Sequence, residues 1–133
     1  MLWRGWIPPP PPVVPLVEAV VPPSVNEAAA VRDLLGRYRT AYEQLDARLA
    51  KQVWPSVDER ALARAFDGLE SQAVTFESCN VDVGEGTAAA FCRGTATYVR
   101  RVGNKSRQTQ GREWTFALRK AERGWFIQAV QMR

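Results

Sequence analysis

Apolar and polar residues alternate along the stretch from Gln72 to Val102, and the alternation runs through a short glycine-bearing interruption. The pattern predicts two strands, Gln72–Val83 and Thr87–Val102, folded back on each other at Gly84-Glu85-Gly86. With Val83 opposite Ala88, Val81 meets Ala90 and Cys79 meets Cys92, so one face of the hairpin is apolar throughout. In the first strand the apolar parity moves from even positions (Val74, Phe76) to odd ones (Cys79, Val81, Val83). One extra residue near Glu77-Ser78 accounts for that shift and predicts a β-bulge. Gly103-Asn104-Lys105-Ser106 marks the next turn. A third strand then places Gln108, Gln110, Arg112, Trp114, Phe116 and Leu118 on one face, polar at one end and apolar at the other. After a turn at Ala121-Glu122-Arg123-Gly124, a fourth strand sets Trp125, Ile127 and Ala129 against Lys120, Leu118 and Phe116.

Upstream the period lengthens to that of helices. Ser24-Val25-Asn26-Glu27 has the form of a capping box, and Val31, Leu34, Leu35, Tyr38, Tyr42 and Leu45 form one stripe, which predicts a helix to about Leu45. Asp46 is placed to cap a second, short helix through Val53, with Trp54 at the corner and Pro55 as the stop. Asp58 caps a third helix whose stripe is Leu62, Ala65, Phe66 and Leu69, with Gly68 as a left-handed end. The fold class is therefore α+β: three N-terminal helices on a curved, bulged, antiparallel four-stranded sheet.

At 133 residues and 46% hydrophobic content, the chain holds one domain's worth of core, expected over 24–133. Residues 1–23, with prolines at 8–12, 15, 22 and 23, read as an extended linker. No stretch is long and apolar enough for a membrane span or a signal peptide. Histidine is absent, which removes the usual general base and the commonest metal ligand. Two cysteines cannot supply a structural zinc site alone, so neither metal nor cofactor is expected. Charge is divided unevenly: residues 1–92 carry −4 and residues 93–133 carry +8. The residues leave open an anionic partner for the basic half, but solvated strand ends are the favoured reading. Basic residues without interleaved exposed aromatics do not favour nucleic acid.

Several local marks bear on family. They are Ala41-Tyr42 through Asp46 at the first helix junction, Val53-Trp54-Pro55, Trp114-Thr115-Phe116-Ala117-Leu118, and Gly124-Trp125-Phe126-Ile127. With the order of elements, they resemble the nuclear transport factor 2-like superfamily, a cone-shaped α+β fold that includes ketosteroid isomerase and polyketide cyclases. The resemblance covers Val25 to Met132. It also extends to versions of the domain found at the C-terminal end of larger bacterial proteins behind a Pro-rich linker, with a Cys on each strand of the first hairpin. Such placement implies an extracytoplasmic location if the larger protein belongs to the envelope. It also favours a disulfide between Cys79 and Cys92 over two reduced thiols, both of which the register allows.

The resemblance further implies a cavity inside the cone. The residues expected to project into it are Tyr38, Tyr42, Trp54, Tyr98, Arg112, Trp114, Phe116 and Trp125; the competing reading is that these aromatics simply fill the core. Aromatic walls and one Arg suit a small apolar, anionic ligand. No Asp or Glu lies among the assigned inward-facing strand positions, so no catalytic residue is assigned and Asp46 is read as a cap. The leading expectation is a non-catalytic accessory or sensory domain that binds a small ligand or a protein partner, in its cavity or on its sheet. The alternative is a cofactor-independent isomerase, dehydratase or cyclase using Asp46 or Glu43 with a tyrosine. Homodimerisation through the outer sheet face is compatible with either.

Overall fold

The computed structural model describes residues 23–133, so the segment read as a linker lies outside the described residues except for Pro23. Helix α1 (Pro23–Glu43), α2 (Ala47–Val53) and α3 (Glu59–Asp67) precede four strands, β1 (Leu69–Val83), β2 (Thr87–Arg100), β3 (Gln108–Ala121) and β4 (Gly124–Met132). The strands form one antiparallel sheet in the order β1-β2-β3-β4. The α+β architecture expected from the hydrophobic pattern is the one observed.

Val31, Leu34, Leu35, Tyr38 and Ala41 are buried along one face of α1, which packs on β1 and reaches β4. Burying each large apolar side chain contributes about 1.5–3 kcal/mol, and this stripe holds the helix to the sheet. The helix ends in a Schellman arrangement. Asp46 N–H donates to Ala41 O at 3.0 Å, Leu45 N–H donates to Tyr42 O at 3.1 Å, and Leu45 itself adopts a positive φ of 54°. The Asp46 carboxylate then accepts from Leu49 N–H at 3.0 Å and caps α2, as expected. Asp58 caps α3 through Ala61 N–H at 3.0 Å.

Two local expectations are corrected. Gly68 ends α3 in the right-handed region (φ −80°), because its N–H is taken by Ala65 O and Phe66 O without a left-handed turn. Leu69 belongs to β1 and pairs with Arg100, so it is not part of the α3 stripe. The Ser24 side chain of the expected capping box lies outside what the structure describes; the Glu27 oxygens accept from the β3–β4 hairpin.

The β1–β2 register is the predicted one: Val83 faces Ala88, Val81 faces Ala90 and Cys79 faces Cys92. The expected bulge is present between Phe76 and Ser78, leaving Glu77 as the extra residue. Gly94 lies opposite it and permits a very close approach of the two strands. A Cβ on Gly94 would fall 1.8 Å from the Thr75 carbonyl oxygen, so no larger residue fits while the backbone stays in place. In β4 the predicted pairing holds for Trp125 with Lys120 and Ile127 with Leu118, but Phe116 faces Val130, not Ala129. A bulge at Gln128 shifts the register. Its carbonyl accepts a hydrogen bond from the Ser56 hydroxyl at 3.0 Å, which ties the α2–α3 connection to the sheet.

Cys79 and Cys92 are cross-strand neighbours with Cα atoms 4.1 Å apart and sulfurs at disulfide distance, 2.07 Å. Alkylation without reductant, followed by mass spectrometry, is expected to find both cysteines blocked in protein from an oxidising compartment; two alkylated thiols would refute the bridge. Reduction should lower stability by about 3 kcal/mol, the chain-entropy value for a loop of this size.

The two strand glycines should separate sharply by substitution. Gly94→Ala should cost about 3 kcal/mol, the upper end for overpacking. Gly111→Ala, with no atom within 4 Å of its added Cβ, should change stability by less than about 1 kcal/mol. Urea midpoints of the two variants measure the contrast.

Candidate functional site

The inward-facing aromatics form a continuous cluster. Tyr38 packs on Tyr42 with ring centroids 4.4 Å apart and meets Phe116 edge-on at 5.1 Å; Tyr42 meets Phe66 at 5.1 Å, and Phe76 meets Trp114 at 5.0 Å. Tyr38, Trp114 and Phe116 are buried, and Trp54 packs against the same core from the end of α2. Burial pushes the Tyr38 phenol well above its ordinary pKa and raises that of Tyr42, so both stay neutral at physiological pH.

Tyr98 and Arg112 lie toward the other end of the sheet's inner face. Gln110 bridges them: its amide nitrogen lies 3.4 Å from the Tyr98 hydroxyl, and its carbonyl accepts from the Arg112 guanidinium. The eight residues proposed from sequence therefore separate into a packed aromatic core, a polar group around Gln110, and Trp125.

Trp125 lines a groove of about 880 Å³ between α1 from Glu27 to Arg37, the α2–α3 connection and the β3–β4 hairpin. Ala30 and Leu34 of α1, Pro55, and Trp125 with Phe126 of β4 provide its apolar surface. At one side, the Glu27 carboxylate accepts from Lys120 Nζ at 2.6 Å and from the Trp125 indole N–H. Lys120 and Trp125 are direct partners across β3 and β4, so the hairpin presents two donors side by side to one carboxylate. Those two hydrogen bonds, Lys120 first, hold Glu27 below the usual glutamate range. The sequence placed Lys120 opposite Trp125 but assigned Glu27 to a capping box. No local signal links residues 93 positions apart.

The carboxylates considered for catalysis are otherwise engaged. Asp46 caps α2, and Glu43 lies 3.9 Å from Arg39 on the exposed side of α1. Among the described residues, no His/Cys/Asp/Glu cluster is placed to hold a metal ion.

No protein-family model matches the chain, and no curated protein matches it. Solved structures do. A nuclear transport factor 2-like superfamily protein from Salmonella enterica serovar Typhimurium superposes with a TM-score of 0.76 at 16% identity, covering 83% of this chain and 92% of that one. An NTF2-like protein with a cystatin-like fold from Novosphingobium aromaticivorans gives 0.64 at 18% identity, over 82% of each chain. The hexachlorocyclohexane dehydrochlorinase LinA-type3 of Novosphingobium barchaimii gives 0.69 at 8% identity, over 83% of this chain and 87% of that one. The chain has the nuclear transport factor 2-like fold. Because proteins of that fold include a named enzyme, the fold by itself assigns no activity.

The Glu27 contact gives a pH signature with a definite sign. A carboxylate whose folded pKa is depressed contributes stability that is present above its unfolded pKa and lost as pH falls through the folded value. The melting-temperature difference between wild type and Glu27→Gln should therefore be constant near neutrality and vanish as pH drops below the ordinary glutamate range of about 4.3. A difference unchanged down to strongly acidic pH would contradict the contact.

Proposed function

We propose that this is a non-catalytic accessory or sensory domain that binds a small apolar carboxylate in the groove between α1 and the β3–β4 hairpin. The observation that carries this reading is the convergence of Lys120 Nζ and the Trp125 indole N–H on one carboxylate beside an apolar wall. Two donors held by strand pairing are preorganised for a carboxylate, and the groove volume falls in the range of small-molecule sites. Glu27 occupies those donors in the free protein, so a ligand carboxylate competes with it. Leu34 belongs to the buried core and Trp125 packs against it, so the apolar wall of the groove is backed by the domain's interior. Arg112, the charge partner expected from sequence, is engaged with Gln110 in a different part of the sheet, and Lys120 takes its role in this proposal.

Titration with laurate, monitored by tryptophan fluorescence, tests it. A saturable change is expected in wild type, lost in Trp125→Phe, weakened about tenfold or more in Lys120→Met, and strengthened in Glu27→Gln. A flat titration in both wild type and Glu27→Gln would overturn the reading. So would an equal response to dodecanol, which lacks the carboxylate.

A further inference from the structure

The connection between β2 and β3 is at the end of the sheet away from the β1–β2 and β3–β4 turns. Residues 100–107 carry Arg100, Arg101, Lys105 and Arg107 with no acidic residue, and every one of the eight is exposed. None of the four cations takes part in an ion pair among the described residues, although Asp67 at the end of α3 and Glu70 of β1 flank Leu69, the strand partner of Arg100. Val102 sits among them at 82% exposure, the most exposed large hydrophobic residue described.

The loop is braced. Arg101 donates from its backbone N–H to Gly68 O and from Nε to Leu69 O, both at 3.1 Å, which fixes its base to β1. Asn104 Oδ1 accepts from the Ser106 N–H at 3.0 Å and from its hydroxyl at 2.6 Å, and Gly103 supplies the positive φ of 85° that the turn requires. An apolar side chain is thus presented outward on an ordered support, surrounded by cations.

We infer that this loop is a docking site for an anionic lipid surface, with Val102 entering the interfacial region while Lys105, Arg107 and Arg100 face the headgroups. Cations alone would serve any polyanion equally. The exposed Val102 favours lipid, because it gains from an apolar phase and has nothing comparable to gain from a phosphate backbone. Base stacking has no exposed aromatic here: Tyr98 is half-buried, with the Arg100 guanidinium 5.9 Å from its ring.

Co-sedimentation of the full chain with phosphatidylcholine vesicles, with and without phosphatidylglycerol, tests the inference. Binding is expected only when phosphatidylglycerol is present, and it should weaken with added salt. The double variant Lys105→Ser/Arg107→Ser should bind about 30-fold more weakly, from the loss of two surface-attracted charges. Val102→Ser should bind about tenfold more weakly, from the loss of its apolar contact. All three positions are exposed, and unchanged melting temperatures would show that the variants fold. No binding to the anionic vesicles overturns the inference. So does unchanged binding by Val102→Ser together with equally strong binding of double-stranded DNA, which would assign the loop to phosphate in general.

Discussion

The approach of Gly94 to the Thr75 carbonyl is the constraint on which the sheet's shape depends. The bulge at Glu77 lets β1 change direction, and the bend is compatible only with a residue lacking a side chain on the strand opposite. On one side of the bend, Val81, Val83, Ala88 and Ala90 face α1. On the other, Val74 and Phe76 continue the core with the parity of β1 reversed, while Ala96 keeps the parity of β2. A flat sheet with the same residues would turn half of β1's apolar side chains toward solvent.

The β4 bulge plays a related part at the other edge. By shifting β4 at Gln128, it places Ile127 and Val130 on the core side of a strand that would otherwise have alternated past them. The Ser56 hydroxyl takes up the displaced carbonyl, so the turn between α2 and α3 is joined to the same deformation. Sheet curvature and helix placement are therefore coupled through the bulges at Glu77 and Gln128, while the strand segments that pair regularly follow from alternation alone.

Much of this was legible in the residues. The hairpin register followed from alternation plus one parity change, and the helix caps at Asp46 and Asp58 followed from their places before apolar stripes. The β4 bulge was hidden, because Ala129 and Val130 are both apolar and either register buries one of them. Leu69 fitted a helical stripe and a strand start equally well, and only its pairing with Arg100 separates the two. The site was less legible for a different reason. Tyr38, Trp114 and Phe116 have the composition of a pocket wall and of a packed interior alike, and what distinguishes the two is volume, which no local pattern records. Glu27 reaches its partners across most of the chain, and the same S-x-x-E pattern has a sound local explanation.

The Cys79–Cys92 connection also changes the covalent topology of the first hairpin. It closes residues 79–92 into a ring whose outermost part is the exposed turn Gly84-Glu85-Gly86. A backbone cut in that turn would open the ring without dividing the molecule. The two chain segments would remain one covalent species, with Val81 and Val83 still held against Ala90 and Ala88 by the strands on either side. This exposed turn is thus a place where the protein can be nicked and keep its halves in register.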